Sequence, residues 1–503
     1  MLVGVGQLTT PPDASMAPEV RPEPAELMAM ALRAAAEDCD GVPSGGTAPA
    51  GRQLLERADA LWVIAPVGWR VPNPAAAVAA RLGVTPARLG LTAIGGNAPQ
   101  ALVHQSSMAI ARGDADAVLV CGAEALYART LARRAGSTLE WERQPDDVAA
   151  PERFGTERAP GSDLEVARGV VLPIHAYPLF ENALRGAAGW TLDEHRHQIG
   201  ALWSGFSEVA AENPFAWIRA PRTVGEIIEP GPKNRMVSFP YPKLCTANLF
   251  VDQGAAYIIC SAEAARSAGV PEDRWVFPLS GADADDHWTI SERPELHRSP
   301  AIRLAGARAM DLAGVSADDL AAVDLYSCFP CVVRIAAGEL ALGTDDPDRP
   351  LTLTGGLTFG GGPGNNYATH GIAALAQRLR GEPGSVGMAT ALGWYVTKHA
   401  IGLYGTRPPE GGFRWESVQA QVDALPRCPL DPEATGRVVI ETYTVTYGAD
   451  GHPERAIVVA RTTDGVRAWA NVTDGDDLAS LTVAEGIGRA GQLQADGVLA
   501  LDQ

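Results

Sequence analysis

The chain is poor in cysteine, in positive charge and in long apolar runs. Seven cysteines in 503 residues, scattered without metal-ligand spacing, argue against a disulfide framework and for a reducing compartment. The CFPC at residues 328–331 is formally C-x-x-C, but no second pair accompanies it, so neither a zinc site nor a redox site is expected. Lys and Arg number 41 against 60 Asp and Glu, a net charge of −19, which disfavours nucleic acid and anionic membranes as partners. No apolar run reaches the roughly 18 residues that a membrane span needs. The opening MLVGVGQLTTPPDAS lacks the basic and then apolar pattern of a signal peptide, so a cytoplasmic protein is expected.

What is present is an ordinary globular composition, 46% hydrophobic and 20% charged, long enough to bury a sizeable core. A prior of about 150 residues per domain allows two to four domains. Apolar strand-like runs at residues 3–7, 61–67, 90–96 and 117–124 alternate with helical patterns at 24–37 and 99–113. Such alternation predicts a largely parallel sheet covered on both faces. Residues 125–244 break the rhythm. They are polar, Pro-rich and irregular, with bases at Arg129, Arg133, Arg134, Arg219, Arg222, Lys233, Arg235 and Lys243, and read as an inserted loop domain. It either contacts an anionic ligand or presents a solvated charged surface. The α/β rhythm resumes at residue 248 and runs to 405, repeating the order of the first half, which points to an internal duplication. TRPPEGG at residues 406–412 reads as a linker. Beyond it β-branched and aromatic alternation, with turn signals at Gly451 and Asp464-Gly465, predicts a small antiparallel β-domain, a barrel or a sandwich.

The stretch that organises the chain is GGLTFGGGPGNNYATHG, residues 355–371. Its glycines allow close backbone approach to a ligand, and the helix that follows would aim free N–H groups at it. Tyr367 and His370, three apart, are expected on one helix face. DLYSCFPC, residues 324–331, follows an apolar strand-like run and should form a second loop at the same sheet edge.

Several local patterns, in order, resemble the thiolase superfamily over roughly residues 1–405. ADAVLVCGAEA at 115–125, VDQGAAYII at 251–259, LYSCFP at 325–330, GGLTFGGGPG at 355–364 and TALGW at 390–394 stand where that family has its strands and reactive loops. GGPGNNYATH, WYVTKHA at 394–400 and ETYTV in the β-domain look most like the thiolase-like proteins of type 1. The resemblance implies a duplicated thiolase fold, five-layered αβαβα, with an N-terminal half over 1–265 (loop domain inserted at about 125–245). It further implies a C-terminal half over 266–405 and an OB-like all-β domain over 406–503. It also implies acyltransferase-type chemistry on coenzyme A thioesters, in a monomer or a homodimer. Thiolases use two cysteines, a histidine and an oxyanion hole. Carried over by motif, the nucleophile falls on Gly95, the activating histidine on Gly362, the second cysteine on Ala391 and the fourth loop's Asn or His on Tyr326. A glycine cannot form an acyl-enzyme, so ordinary thiolase activity is not expected.

Three readings remain open. The pocket could bind acyl-CoA or CoA through Gly95, Gly96, Asn97, Gly361, Gly362 and Asn366, with no metal. Tyr326, Tyr367, His370 and His399 could carry acid–base chemistry, such as retro-aldol cleavage of a 3-hydroxyacyl-CoA, as in the steroid side-chain aldolases of the superfamily. Or the chain is a non-catalytic CoA-binding scaffold. Cys121 and Cys260 read as core residues, and Cys328 matches a position that is not the family's nucleophile, which leaves Cys245 and Cys331 as remote candidates. Few bases mark the C-terminal domain, so it is expected to cap the site or dock a protein partner.

Overall fold

The computed structural model describes residues 1–13, 15–40, 49–344 and 346–502. In chain order the strands of the first half are β1 (Leu2–Thr9), β2 (Ala60–Val63), β3 (Arg88–Thr92), β4 (Ala117–Ala125) and β5 (Glu152–Phe154). Two short strands, β6 (Met236–Ser238) and β7 (Tyr241–Pro242), precede β8 (Asp252–Cys260). The first sheet has the order β1-β8-β4-β2-β3-β5. The second half supplies β9 (Phe277–Asp285), β10 (Leu320–Asp324), β11 (Val386–Gly393), β12 (Lys398–Gly405) and β13 (Arg414–Ser417), in the order β10-β11-β12-β9-β13.

The expected largely parallel sheets are in fact mixed. β2 runs parallel to β3 and β4, but β8 is antiparallel to both β1 and β4. β11 and β12 are antiparallel because residues 394–397 alone join them, too short a link for a crossover. The near-continuous apolar runs arose from burial on both faces: β4, β8 and β12 are buried at every position. Helices Ala98–Arg112 and Tyr367–Arg380 lie between the sheets. Their Leu102, Val103, Ile372 and Leu375 share one apolar cluster with Val118 and Val120 of the first sheet and Ala322 and Ala389 of the second. Helix Pro24–Asp40 covers the outer face of the first sheet, and helices Pro300–Ala313 and Pro330–Glu339 that of the second. The result is five layers, helix–sheet–helix–sheet–helix.

Residues 125–244 are not the irregular segment their composition suggests. They fold largely as helices, the longest Pro173–Ala188 and Leu192–Glu212. The overlooked signal is the S/T-x-x-E capping box, formed by Ser162 with Glu165, Thr191 with Glu194 and Thr223 with Glu226.

The C-terminal strands are β14 (Gly436–Tyr447), β15 (Pro453–Thr462), β16 (Arg467–Val472), β17 (Ala490–Leu493) and β18 (Leu499–Leu501). They pair in the order β16-β15-β14-β17-β18, and a bridge from Asn471 to Val498 closes the antiparallel sheet into a barrel. The inserted segment joins it, for β6 pairs with β14 at Ser238 and Thr446. The barrel is fastened to the second half by Arg467, wholly buried, which pairs with Glu441 and donates to the carbonyls of Ile290, Ser291 and Arg293. Trp469 Nε1 donates to Ser291 Oγ at 2.9 Å beside it. Arg467→Met would leave Glu441 with Arg461 alone and take their donor from the carbonyls of Ser291 and Arg293, while Ile290 O keeps the Arg293 N–H. The substitution should lower the unfolding free energy by about 3 kcal/mol in urea titration.

Candidate active site

Loops far apart in the chain meet around Gly95 and Gly96: those carrying Tyr326, Asn365 and Lys398. Gly95 lies between β3 and helix Ala98–Arg112 at φ +156. Its N–H donates to Asn365 Oδ1 at 3.0 Å, and Asn365 Nδ2 donates to Ala65 O at 2.7 Å. A Cβ on Gly95 would stand 2.5 Å from Asn97 Oδ1 and 3.4 Å from Lys398 Nζ. One on Gly96 would stand 2.3 Å from the Tyr326 hydroxyl. The space beside Gly95 and Gly96 is thus closed by Asn97 and Lys398 on one side and by Tyr326 on the other.

On the first side lies a cavity of about 250 Å³. Asn97, Thr156, Asp283, Asp285, Lys398 and His399 line it, and exposed Ser417 stands at its rim. Asn97 makes no side-chain hydrogen bond among the described residues, so its amide is open to a ligand. Lys398 Nζ donates to Ile94 O at 3.1 Å and to Thr156 O at 2.8 Å. Burial lowers its pKa, against Asp285 and Glu157, which raise it. His399 Nε2 is 3.2 Å from Val396 O and 3.5 Å from Asp286, and Asp286 also accepts from Ser299. Burial raises the Asp286 pKa, but His399, Arg293 and Ser299 outweigh it and hold the carboxyl ionised.

On the second side Tyr326 and His399 face one small apolar cavity with Ala391. Tyr326 packs edge-on to Tyr367, ring centres 5.4 Å apart. Its hydroxyl has no hydrogen-bond partner among the described residues. Burial, then Cys328 and Tyr367, push its pKa well above the usual phenol value. It therefore stays a phenol, a proton donor rather than the general base that the sequence allowed.

Tyr367 and His370 do not share a site. The Tyr367 hydroxyl meets Thr354 at 2.7 Å, Ser327 at 3.2 Å and Asp324 at 3.4 Å. His370 Nδ1 instead faces Gln7 of β1 at 2.9 Å, and burial takes its pKa down to about 3. Nothing brings His370 to Tyr326 or His399. Nor is the Gly361-Gly362 turn an open cradle. Gly361, at φ +110, is packed against Gln253, whose Oε1 would lie 2.1 Å from a Cβ there, and the Gly362 N–H is taken by Asn248 O at 2.9 Å. Asn366 is similarly occupied: its Nδ2 donates to Gly122 O at 2.7 Å and its Oδ1 accepts from Thr369. The bases of the inserted segment do not converge either. Arg129 and Arg133 line a separate groove with Arg70, while Arg222 pairs with Glu226. All seven cysteines are buried free thiols, and burial raises the pKa of Cys245 and Cys331 far from the thiolate range. No group of three metal-ligating side chains occurs among the described residues. Sequence reading passed over Lys398, Asp285 and Asn365. WYVTKHA had been noticed as a motif, but only the fold aims its lysine at Gly95.

A model of the thiolase-like protein type 1 additional C-terminal domain matches residues 417–498. A solved structure, a monomeric SCP2-thiolase-like protein type 1 from Mycobacterium smegmatis, is 32% identical. It aligns over 100% of this chain and 98% of its own, with a TM-score of 0.83. The chain belongs to the thiolase-like protein type 1 family. A second structure, an Ltp2–ChsH2(DUF35) aldolase, is 20% identical over 81% of this chain and 97% of its own, at a TM-score of 0.58, and shares the fold. No curated protein sequence matches.

Two outcomes are expected. Gly95→Cys should not create thiolase activity in a thiolysis assay, because Asn97 occupies the new side chain's space. The variant should also lose about 1–3 kcal/mol of stability to the unfavourable φ and the contact. The second concerns Asp324, whose pKa burial raises from 3.8 to about 7 despite hydrogen bonds from Leu353 and Thr352. The folded state then holds a proton that the unfolded state has released. Unfolding free energy should therefore fall as pH rises from about 4 to about 7. Asp324→Asn, which mimics the protonated group, should flatten that part of the urea-derived profile.

Proposed function

We propose that this chain binds an acyl thioester of coenzyme A in the cavity beside Gly95, without forming an acyl-enzyme. The observation that carries the reading is a cavity beside Gly95 lined by polar side chains held in place, Asn97 and Lys398 among them. The Asn97 amide and Lys398 Nζ both border the cavity, and the Asn97 amide, free of other side-chain hydrogen bonds among the described residues, suits a thioester oxygen as acceptor. A cavity of about 250 Å³ accommodates a short acyl thioester with the end of its pantetheine arm, leaving the nucleotide outside. The first sheet ends beyond β3 in β5, a strand of three residues and too short to template a partner's strand, which supports a monomer. Seven free thiols fit a reducing, intracellular setting.

One observation favours a second reading, carbon–carbon cleavage of a 3-hydroxyacyl-CoA. Tyr326 keeps an unpartnered phenol beside Gly96, in a small cavity shared with His399. Such a phenol could deliver a proton to the enolate that a retro-aldol cleavage leaves. The fold likeness to a solved aldolase accords with this reading.

Calorimetric titration with acetoacetyl-CoA and 3-hydroxybutyryl-CoA should show binding, and mass spectrometry of the mixtures should show no thiolysis when free CoA is added. Cleavage of the hydroxy ester without added CoA, lost in Tyr326→Phe while affinity persists, would establish the second reading. Absence of binding by either ester would overturn the first. In sedimentation, a particle of one 52.7 kDa chain is expected.

A further inference from the structure

The chain contains three lysines, against 38 arginines, within its 41 basic residues. Lys233 and Lys243 are exposed; Lys398 is 4% exposed and lines the cavity beside Gly95. A chain that meets nearly every need for a cation with arginine has kept here the one long basic side chain that can lose its proton when buried.

The surroundings of Lys398 suit a neutral amine. Its Nζ donates to two backbone carbonyls, Ile94 O and Thr156 O, and a neutral amine has two N–H groups to give. Both are then satisfied, and the lone pair is left for the remaining direction. Lys398 forms no ion pair within 4 Å among the described residues. Its cross-strand partner in the β9–β12 register is Asp285, which lines the same cavity and whose carboxyl pKa burial raises. A half-buried carboxyl of that kind can accept and return a proton beside the amine. The side chain is also held rigidly: its Cδ packs against Gly95 and Gly393, and its Nζ lies 5.8 Å from the centre of the Trp288 ring.

We propose that Lys398 is an imine-forming residue, and that the cavity takes a short ketone or aldehyde as a covalent, reversible ligand. In its neutral form Nζ attacks the carbonyl carbon; the C–N bond forms as the carbonyl π bond opens, and one N–H proton passes to the oxygen by way of Asp285. Asp285 then protonates the carbinolamine hydroxyl, which leaves as water, and takes back the remaining N–H proton as the C=N bond to Lys398 forms. One carbonyl and one amine give one imine and one water. No electron is gained or lost, so no redox partner is needed. The activity rests on the cavity and the amine, and stands whether or not a coenzyme A ester binds.

The test uses the intact protein. Acetone is added at neutral pH, followed by sodium borohydride, which reduces an imine to a stable isopropyl-amine. Peptide mapping by mass spectrometry then reads the three lysines and the N-terminal amine separately. Modification of Lys398 at about tenfold higher occupancy than Lys233 or Lys243 is expected, since an exposed lysine is held as the ammonium. Prior addition of acetone without borohydride should leave no mass change. Modification confined to Lys233, Lys243 or the N-terminus, or none at all, would overturn the proposal. Because the wild-type protein carries the readout, the result does not depend on a variant folding; Lys398→Met serves as the control that should lose the label.

Discussion

The two adjacent asparagines of the glycine-rich loop hold the rest of the site in place. Asn365 joins the loop of the second half to the backbone of the first by taking the Gly95 N–H and giving its own to Ala65 O. Asn366 does the same to Gly122 on β4. These bonds lie between two sheets where water does not compete, and a lost partner there would leave buried backbone groups unpaired at about 1–3 kcal/mol each. They hold Gly95 at a φ that favours glycine, and they bring the nucleophile loop within contact of Lys398 and Tyr326. The two halves of the thiolase-like frame are thereby tied together at Gly95.

The turn that presents Lys398 is itself under tension. Trp394 and Val396 have φ of +59 and +53, a conformation that a β-branched residue rarely adopts. Arg293, buried, holds the turn through Tyr395 O at 2.8 Å and Thr397 Oγ1 at 2.9 Å, and Tyr177 donates to Trp394 O. Such strain persists only where surrounding bonds over-determine it, and it is concentrated where the lysine leaves the turn for the cavity. The same buried arginine pulls the Asp286 pKa down, so the strained turn and the His399–Asp286 contact rest on one residue.

The C-terminal barrel belongs to this arrangement more than a linker-joined module would. Its Arg467 and Trp469 bind the segment at residues 290–293, which ends in Arg293. Thr442 and Tyr443 of β14 are hydrogen-bonded to the inserted helix Pro173–Ala188, through Leu179 O and Asn182. The helix that carries Tyr177 and the loop that carries Arg293 are thus both braced by the barrel. The site's strained turn is supported from outside the thiolase core.

Order and periodicity in the chain were enough to expect a duplicated α/β frame with an all-β end, because buried strands and amphipathic helices leave local patterns. Strand direction was not legible, since a buried strand reads alike in either sense and only residues 394–397 and the return of β8 decide it. The inserted helices escaped because their polar composition concealed the capping boxes that start them. Among the candidate side chains, local spacing placed Tyr367 and His370 together, whereas packing turned one toward Asp324 and the other toward Gln7. Lys398 meets Ile94 across 304 residues of chain, and no local signal records a contact of that span. Local patterning was enough for the layered frame and its all-β end; which side chains gather around Gly95 was settled by packing, because that depends on long-range hydrogen bonds that only the assembled layers can make.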